Sequence, residues 1–342
     1  MVSLEEIVAQ LELWVTATFG SDYRSANVDF LGGHSGVTVG FDVTSKRGPV
    51  ERLVLKIPPP GVVRKNNFDV LRQVPVLKSL EKKGIPAPRA RFWSDDESFF
   101  QAPYLIMSRL AGHSPPDLFR ETQPDQAENE HLCDSFDQAI KVLADIHSLD
   151  TRLLLQEWDG HRDVDREIEH WGRIFKKTKN SEWLGSGQEL EKRLIEKKPT
   201  IIPEGLTHGD YYSNNWVFNR GKLSGVVDWE GASIGPLLLD VGWLYMIYDR
   251  SSWGPTRRKT MSWQPSPDDL VDQYSRAASL QLRNNLDQLK WYRALAAFRI
   301  TSITAYYYEE HRSGRRVNDA WEVFGEAFPY LIARARELLI GN

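Results

Sequence analysis

Apolar residues recur at helical spacing near the start of the chain, at Leu4, Ile7, Val8, Leu11, Trp14 and Val15, until Gly20 interrupts them. Ser3 and Glu6 stand where a capping box closes a helix N-terminus, so an amphipathic helix is predicted here. The period then changes to that of strands. Val28 to Leu31 and Val37 to Val43 flank Gly32-Gly33-His34-Ser35-Gly36, which reads as strand, glycine-rich turn, strand. Glu51 to Ile57 adds a third β-rich run with Lys56 near its end. Pro58-Pro59-Pro60-Gly61 stops that run, and a helix is expected from about Asn67 to Lys83, before Gly84 and Ile85-Pro86-Ala87-Pro88. Tyr104 to Gly112 reads as a buried strand ending in a glycine, and the domain boundary falls near Leu110.

Beyond Leu110 the pattern is mostly helical. Leu132, Phe136, Ile140, Leu143 and His147 share one helical face, where His147 reads as a hydrogen-bonded core histidine. Asp163 to Thr178, Gln188 to Lys198, Leu286 to Glu310 and Trp321 to Leu339 are further predicted helices. Asp249 to Pro267 is rich in turn-forming residues and reads as a loop, whose Trp253 and Trp263 either line a pocket or pack the loop down. Strand character returns at Trp216 to Phe218 and Leu223 to Val227, joined by Asn219-Arg220-Gly221-Lys222, a hairpin signature.

That hairpin carries the candidate chemistry. Asp210 and Asn215 stand just before its first strand and Asp228 just after its second, so antiparallel pairing brings the three side chains together. Two carboxylates and a carboxamide are the hard oxygen ligands and proton acceptor that phosphoryl transfer from a Mg-nucleotide requires. The spacing His208-Gly209-Asp210-Tyr211-Tyr212-Ser213-Asn214-Asn215, followed by Asp228-Trp229-Glu230, repeats the kinase order H-x-D-x-x-x-x-N with a later strand-terminal Asp. On that order Asp210 accepts or orients the proton of an acceptor hydroxyl, and Asn215 and Asp228 hold metal ions.

HGDYYSNNWVFN followed by GVVDWEGASIGPLLLDVGWL resembles the aminoglycoside phosphotransferase family, the kinase-like small-molecule kinases that include choline kinase relatives, over roughly Val28 to Tyr308. The resemblance implies an α+β, two-lobed protein-kinase-like fold: a β-rich N-terminal lobe, residues 1–110, and a mainly helical lobe, 111–342. It implies ATP, or GTP, with Mg2+ in the cleft. Gly32, Gly33, Ser35 and Gly36 would cradle phosphates, although an ordinary hairpin fits the same residues. Lys56 would reach the α- and β-phosphates, and backbone groups around Met107 and Ser108 would meet the adenine edge. Asp240 would brace the catalytic loop through backbone N–H groups. One departure stands out: the glutamate that pairs with the strand lysine in this family aligns with Gln73, with Asp69 one helical turn earlier as an alternative partner. His-Gly-Asp in place of His-Arg-Asp, and no Ala-Pro-Glu after Asp228, disfavour a protein kinase.

Composition narrows the class. The 342 residues suffice for about two domains, each with its own core. A net charge of −4 argues against a broad basic face for nucleic acid. The single cysteine, Cys133, excludes an intramolecular disulfide framework and fits a cytoplasmic setting, while the scattered histidines give no structural zinc site. No apolar run approaches the roughly 20 residues that span a membrane. The expected activity is ATP-dependent phosphorylation of a small hydroxylated acceptor, an aminoglycoside-like antibiotic or another metabolite; the alternative is a kinase-like protein that binds nucleotide or metabolite without transfer. The acceptor is open, since Asp268, Asp269 and Asp272 compete in sign with Arg312, Arg315 and Arg316. The oligomeric state is likewise open.

Overall fold

The computed structural model describes residues 4–32, 36–59, 61, 68–115, 121–265, 267–278 and 286–340. Ser3, Gly33, Ser35 and Asn67 lie outside them. The chain opens with α1 (Leu4–Phe19), followed by the antiparallel strands β1 (Tyr23–Phe30), β2 (Val37–Ser45) and β3 (Gly48–Ile57). A short 3-10 turn leads into α2 (Gln73–Lys82), and β4 (Ala90–Ser94) and β5 (Tyr104–Ser108) complete a sheet ordered β1-β2-β3-β5-β4.

Alternation along these strands decides what each face meets. Val39, Phe41 and Val43 of β2 and Leu53, Leu55 and Ile57 of β3 bury one face against Ile7, Leu11, Trp14 and Val15 of α1. Leu4 and Val8, grouped with that stripe by spacing, are instead 39% and 38% exposed, because the sheet covers only the narrower line through the other four. The opposite face carries Val54, Leu105 and Met107 into the second, larger core with Val74, Leu77 and Leu80 of α2. Lys56 follows Val54 on that face, which is why it points toward the other lobe.

The second lobe is built from α3 (Gln126–His147), α4 (Leu154–Glu157), α5 (Val164–Phe175) and α6 (Ser181–Glu196), then β6 (Glu204–Thr207), the hairpin β7 (Trp216–Asn219) and β8 (Lys222–Val226), and β9 (Ser233–Pro236). It closes with α7 (Leu238–Tyr248), α8 (Pro255–Lys259), α9 (Pro267–Ala277), α10 (Leu289–Arg312) and α11 (Ala320–Ile340). The expected helix over 188–198 begins earlier, at Ser181, where the Asn180 side chain caps it by accepting from the Trp183 N–H. α7 shows no polar face: all its residues, Asp240 included, are buried. Such an all-apolar helix belongs at the centre of a lobe. The segment after α7 is not plain loop: it forms a 3-10 turn at Arg250–Ser252 and then α8. Trp253 packs it down, only 1% exposed, with its indole N–H donating to Ile247 O at 3.0 Å. Trp263 is tied by its indole N–H to Asn129 Oδ1 at 2.5 Å. Among the described residues, no helix is long and apolar enough to cross a membrane.

Candidate active site

Two short sheets present the site. β6 pairs with β9, placing His208 and Gly209 beside the turn after Asp228, and β7 pairs with β8 in register Trp216↔Val226 to Asn219↔Lys222. The connection is two residues, Arg220 and Gly221, with φ of 51° and 75°. Positive φ at both central positions is the twist-matched hairpin turn, so the strands close tightly and their far ends converge.

At those ends the Asn215 amide nitrogen donates to Asp210 O at 2.8 Å and to Asp210 Oδ2 at 3.1 Å. That orientation leaves the Asn215 carbonyl oxygen for another partner. The backbone between Asn215 and Asp228 is held from both sides: the Val227 N–H donates to Asn215 O at 2.8 Å, and Val227 O accepts from His208 Nε2 at 2.8 Å. Since His208 Nδ1 accepts the Asp210 N–H at 3.2 Å, the network assigns His208 as the neutral Nε2–H tautomer. Sequence spacing reveals none of this role for His208.

Asp240 holds the loop as expected. Its carboxylate accepts from the His208 N–H at 2.7 Å and the Gly209 N–H at 2.8 Å, and His147 Nε2 lies 3.3 Å away. His147 is held in turn by Tyr274 OH at 2.6 Å. Burial pushes Asp240 upward, but the hydrogen bonds from His147 and from the His208 N–H more than offset it and keep the carboxyl below its ordinary range. Gly209 has φ of 83°, and a Cβ there would sit 2.3 Å from Gly231 O. The loop therefore needs glycine between His208 and Asp210, for backbone angle and for space.

Lys56 crosses the cleft to the Asp-Trp-Glu turn. Its ammonium donates to Asp228 Oδ1 at 2.7 Å and to Glu230 Oε2 at 3.3 Å. Burial lowers the Lys56 pKa, yet the two carboxylates outweigh it and hold the group above its ordinary value. Burial likewise works against ionised Asp228, and Lys56 reverses the effect. Asp228 adopts φ 67° and ψ 56°, a left-handed conformation that costs a non-glycine residue about 1–3 kcal/mol and marks functional turns. Gln73, at the start of α2, is buried at 4% exposure, while Asp69 caps the preceding 3-10 turn by accepting the Leu71 N–H at 3.2 Å. Lys56 thus takes carboxylate partners from the turn after β8. Because the resemblance puts Gln73 where the family's glutamate stands, Gln73→Glu is expected to pre-position Lys56 and tighten MgATP by a few-fold, about 1 kcal/mol. Isothermal titration with MgATP checks this, and unchanged affinity would separate α2 from Lys56 altogether.

The remaining candidates frame the cleft. Gly32 has φ of 81°, and a Cβ on Gly36 would stand 2.5 Å from Ile57 O, so Gly36 lies directly on the end of β3. Met107 pairs with Ala90 and Val54 across β5. The Ser108 N–H donates to Arg89 O at 2.9 Å and its hydroxyl accepts from Arg89 N at 2.9 Å. The late arginines are neutralised locally: Arg315 pairs with Glu310 at 2.6 Å, Arg312 with Glu322 at 3.2 Å, and Arg316 lies over Tyr307 at 5.8 Å. They form a solvated face.

The donor set suits a divalent cation. Asp228, Glu230 and the Asn215 carbonyl offer hard oxygens, and the Lys56 ammonium on Asp228 and Glu230 marks where positive charge is accommodated. Among the described residues no cluster of three or more His, Cys, Asp or Glu could hold a metal alone.

A β-rich lobe over a mainly helical one, with the loop of residues 208–215 before β7 and an acidic turn after β8, defines a two-lobed protein-kinase-like fold. The sequence pattern of the APH phosphotransferase enzyme family matches residues 30–292, and the chain belongs to that family. Among curated proteins, IBR3 of Arabidopsis thaliana, assigned as an acyl-CoA dehydrogenase, is 26% identical over 211 residues, covering 58% of this chain and 25% of that protein. The chain therefore spans about a quarter of that relative's length. Among solved structures, a protein from Ralstonia eutropha JMP134 assigned as an aminoglycoside phosphotransferase gives a TM-score of 0.73 at 18% identity, covering 96% of this chain and 98% of that one. A choline/ethanolamine kinase family protein from Mesorhizobium loti gives 0.61 at 13% identity, with 99% and 95% covered. The amicoumacin kinase hAmiN, in complex with AMP-PNP, Ca2+ and Ami, gives 0.61 at 13% identity, with 99% and 96% covered. At such identities the likeness speaks for the fold; family membership supports small-molecule phosphotransfer as the class of activity.

Proposed function

We propose that this protein transfers the γ-phosphate of ATP to a hydroxyl of a small molecule. The observation that carries the proposal is the convergence of Asp210, Asn215 and Asp228, with Lys56 reaching the same turn at 2.7 Å. Asp210 receives or orients the acceptor hydroxyl's proton. Burial raises its pKa, opposed by Arg299 and the Asn215 hydrogen bond, so the carboxylate is a better base than an ordinary Asp. Asn215 fixes Asp210 through its amide nitrogen, and its carbonyl and the Asp228 carboxylate would hold the metal. Lys56 exchanges its carboxylates for the α- and β-phosphates when nucleotide arrives. Gly32, Gly33, Ser35 and Gly36 cradle the phosphates. The Ser108 N–H is engaged with Arg89, so the adenine edge would meet other backbone groups around Met107 and Ser108, or those just beyond. Mg2+ bound there would neutralise phosphate charge, and the chain's own contribution is positioning and preorganised electrostatics. GTP would fit the same phosphate contacts, and a cytoplasmic setting belongs to the same proposal.

Asp228→Ala is expected to raise the Mg2+ concentration for half-maximal activity by at least about tenfold and to weaken MgATP, because it deletes a carboxylate from a site with few protein ligands. ADP release measured across a Mg2+ titration checks this; an unchanged titration would place the ions elsewhere. The alternative, nucleotide binding without transfer, draws on Gln73 at the position of the family's glutamate. It gains if nucleotide binds while ADP release stays at background across hydroxylated acceptors of every charge.

A further inference from the structure

Arg72 is a cation at the start of a helix, where the backbone dipole disfavours positive charge, and its side chain does not cap α2. Local helix stability therefore does not account for it. Its guanidinium reaches out of the first lobe: Nη1 donates to Ala232 O at 3.0 Å, and the guanidinium carbon stands 4.6 Å from the centroid of the Trp158 ring. The start of this reach is fixed locally, because the Asp69 carboxylate accepts the Leu71 N–H at 3.2 Å and Asp69 O accepts the Arg72 N–H at 3.1 Å. The far end is equally firm. Trp158 is buried directly after α4, and the segment beyond it is bound to β9: Gly160 O accepts the Ile234 N–H at 2.9 Å, and the Arg162 N–H donates to Ile234 O at 2.8 Å. A Cβ on Gly160 would stand 2.4 Å from the Trp158 ring, so the indole lies against that same segment.

Ala232 ends the turn that carries Asp228 and Glu230, its N–H donating to Trp229 O at 3.2 Å. The entry of that turn is held within the second lobe, where Val227 O accepts from His208 Nε2 at 2.8 Å and Val226 O accepts from the Trp229 indole N–H at 2.8 Å. Its exit is tied to the first lobe by Arg72. Between the two ties lies Asp228 at φ 67°, a strained backbone conformation that persists only where the surroundings over-determine it. Lys56 also spans the cleft to this turn, but on the proposed function it leaves Asp228 and Glu230 for the phosphates. Arg72 holds a backbone oxygen, which takes no part in that exchange.

We infer that Arg72 is a positioning residue for the acidic turn: by docking the start of α2 on Ala232 and Trp158, it keeps Asp228 in the left-handed conformation from which its carboxylate serves as a metal ligand. This rests on the reading of Asp228 as a ligand in the proposed function. The coupling runs from α2 to the backbone of the turn and leaves Lys56 free to change partners. Arginine suits the task, since a guanidinium over an indole ring keeps N–H donors at its edge for an oxygen beside the ring, whereas an ammonium meets the ring as a point charge.

The test uses the full chain and AMP-PNP, so that binding is read without turnover. Arg72→Met removes the donors and keeps an apolar stem over Trp158. It is expected to raise the Kd for AMP-PNP with Mg2+ by about tenfold, the low end of what one strained residue is worth. The Mg2+ concentration for half-maximal binding should rise by a similar factor, while the Kd measured in EDTA stays within about twofold. Hydrogen exchange in the nucleotide-free protein should quicken over residues 228–234 and stay unchanged over the hairpin, 216–226. Arg72→Lys, which can still donate to Ala232 O, should lie within about threefold of the parent. On an Asp228→Ala background Arg72→Met should cost little more, because both changes act at one ligand. A loss of affinity that is equal with and without Mg2+ overturns the inference, by making Arg72 a general prop of the nucleotide site. An unchanged Mg2+ titration, or losses that add in the double variant, overturn it as well. Should Arg72→Met melt too low to assay, Arg72→Gln carries the same comparison, and equal losses with and without Mg2+ overturn the inference there too. ADP release with hydroxylated acceptors separates the two readings. A Mg2+-selective loss in a protein that releases no ADP supports the role of Arg72 and overturns transfer; ADP release by a parent whose Arg72 variants lose affinity regardless of Mg2+ leaves transfer standing and removes Arg72 from the turn. A parent that binds AMP-PNP no better with Mg2+ overturns the inference at its premise.

Discussion

Asp210→Asn is expected to lower kcat by about 10²–10⁴ while MgATP affinity stays within a few-fold, since the side chain acts on the acceptor hydroxyl and not on the nucleotide. The asparagine keeps the shape and can still meet the Asn215 amide that now lies 3.1 Å from Asp210 Oδ2, so the loss reports chemistry and not collapse of the loop. Two further consequences follow from burial, which holds the Asp210 pKa above the ordinary carboxylate value. First, activity needs the ionised form, so kcat should fall as pH drops, starting at a higher pH than for an exposed Asp, and the acid limb should vanish in the residual activity of the variant. Second, a raised folded-state pKa means that this group favours folding most below its unfolded value, and loses that contribution as pH rises through the folded one. At neutral pH the charge therefore opposes folding, and the neutral Asn should raise Tm. Steady-state ADP release and a thermal melt measure both. Turnover retained within a few-fold would take Asp210 out of the proton-accepting role.

Asp240→Ala is expected to destabilise the fold by roughly 3–5 kcal/mol, the range seen when one member of a buried charged network is removed. The Asp240 side chain is fully buried and accepts from two backbone N–H groups, those of His208 and Gly209, beside His147 at 3.3 Å. Its loss leaves all three groups facing a void, and against a total stability of typically about 5–15 kcal/mol that is a large fraction. The pH dependence has a definite sign. The folded-state pKa of Asp240 is depressed, so its contribution is fully present above the unfolded value of about 3.9 and is lost as pH falls through the folded value. The difference in stability between parent and variant should be widest near neutrality and narrow in acid. Denaturant melts at neutral and acid pH provide the check; a difference that is small at neutrality, or constant with pH, would mean that the loop is held by other contacts.

Much of the site is written in short-range spacing. Asp210 and Asn215 are five residues apart in one turn, and a two-residue connection at Arg220-Gly221 closes the hairpin that returns Asp228 to them. Such geometry is local, so it survives without knowledge of the rest of the chain. The β-rich first lobe and the helical second follow from a change of hydrophobic period, for the same reason. Helix ends were less legible: α6 begins at Ser181, ahead of the expected start, because Asn180 supplies a side-chain cap that the apolar periodicity does not register. Leu4 and Val8 share the apolar stripe of α1 but not its burial, since the width of the contact is set by the sheet beneath.

What the tertiary structure alone decided lies in contacts between distant segments. Lys56 was legible as a strand-end lysine, yet its partners, Asp228 and Glu230, stand 172 and 174 residues away and come from the acidic turn instead of α2. The need for glycine at position 209 arises from the Gly231 backbone 2.3 Å from its missing Cβ, an approach created by β6 pairing with β9. Packing of α10 against α5 and α7 places the Arg299 guanidinium over the rings of Trp171 and Trp243, a contact that spacing along the chain does not register. The sequence by itself determined the lobes, the hairpin and the three side chains it gathers, because those depend on local period and turn length. The lysine's partners depend on which helix and sheet faces come together, and that is fixed only when the whole chain packs.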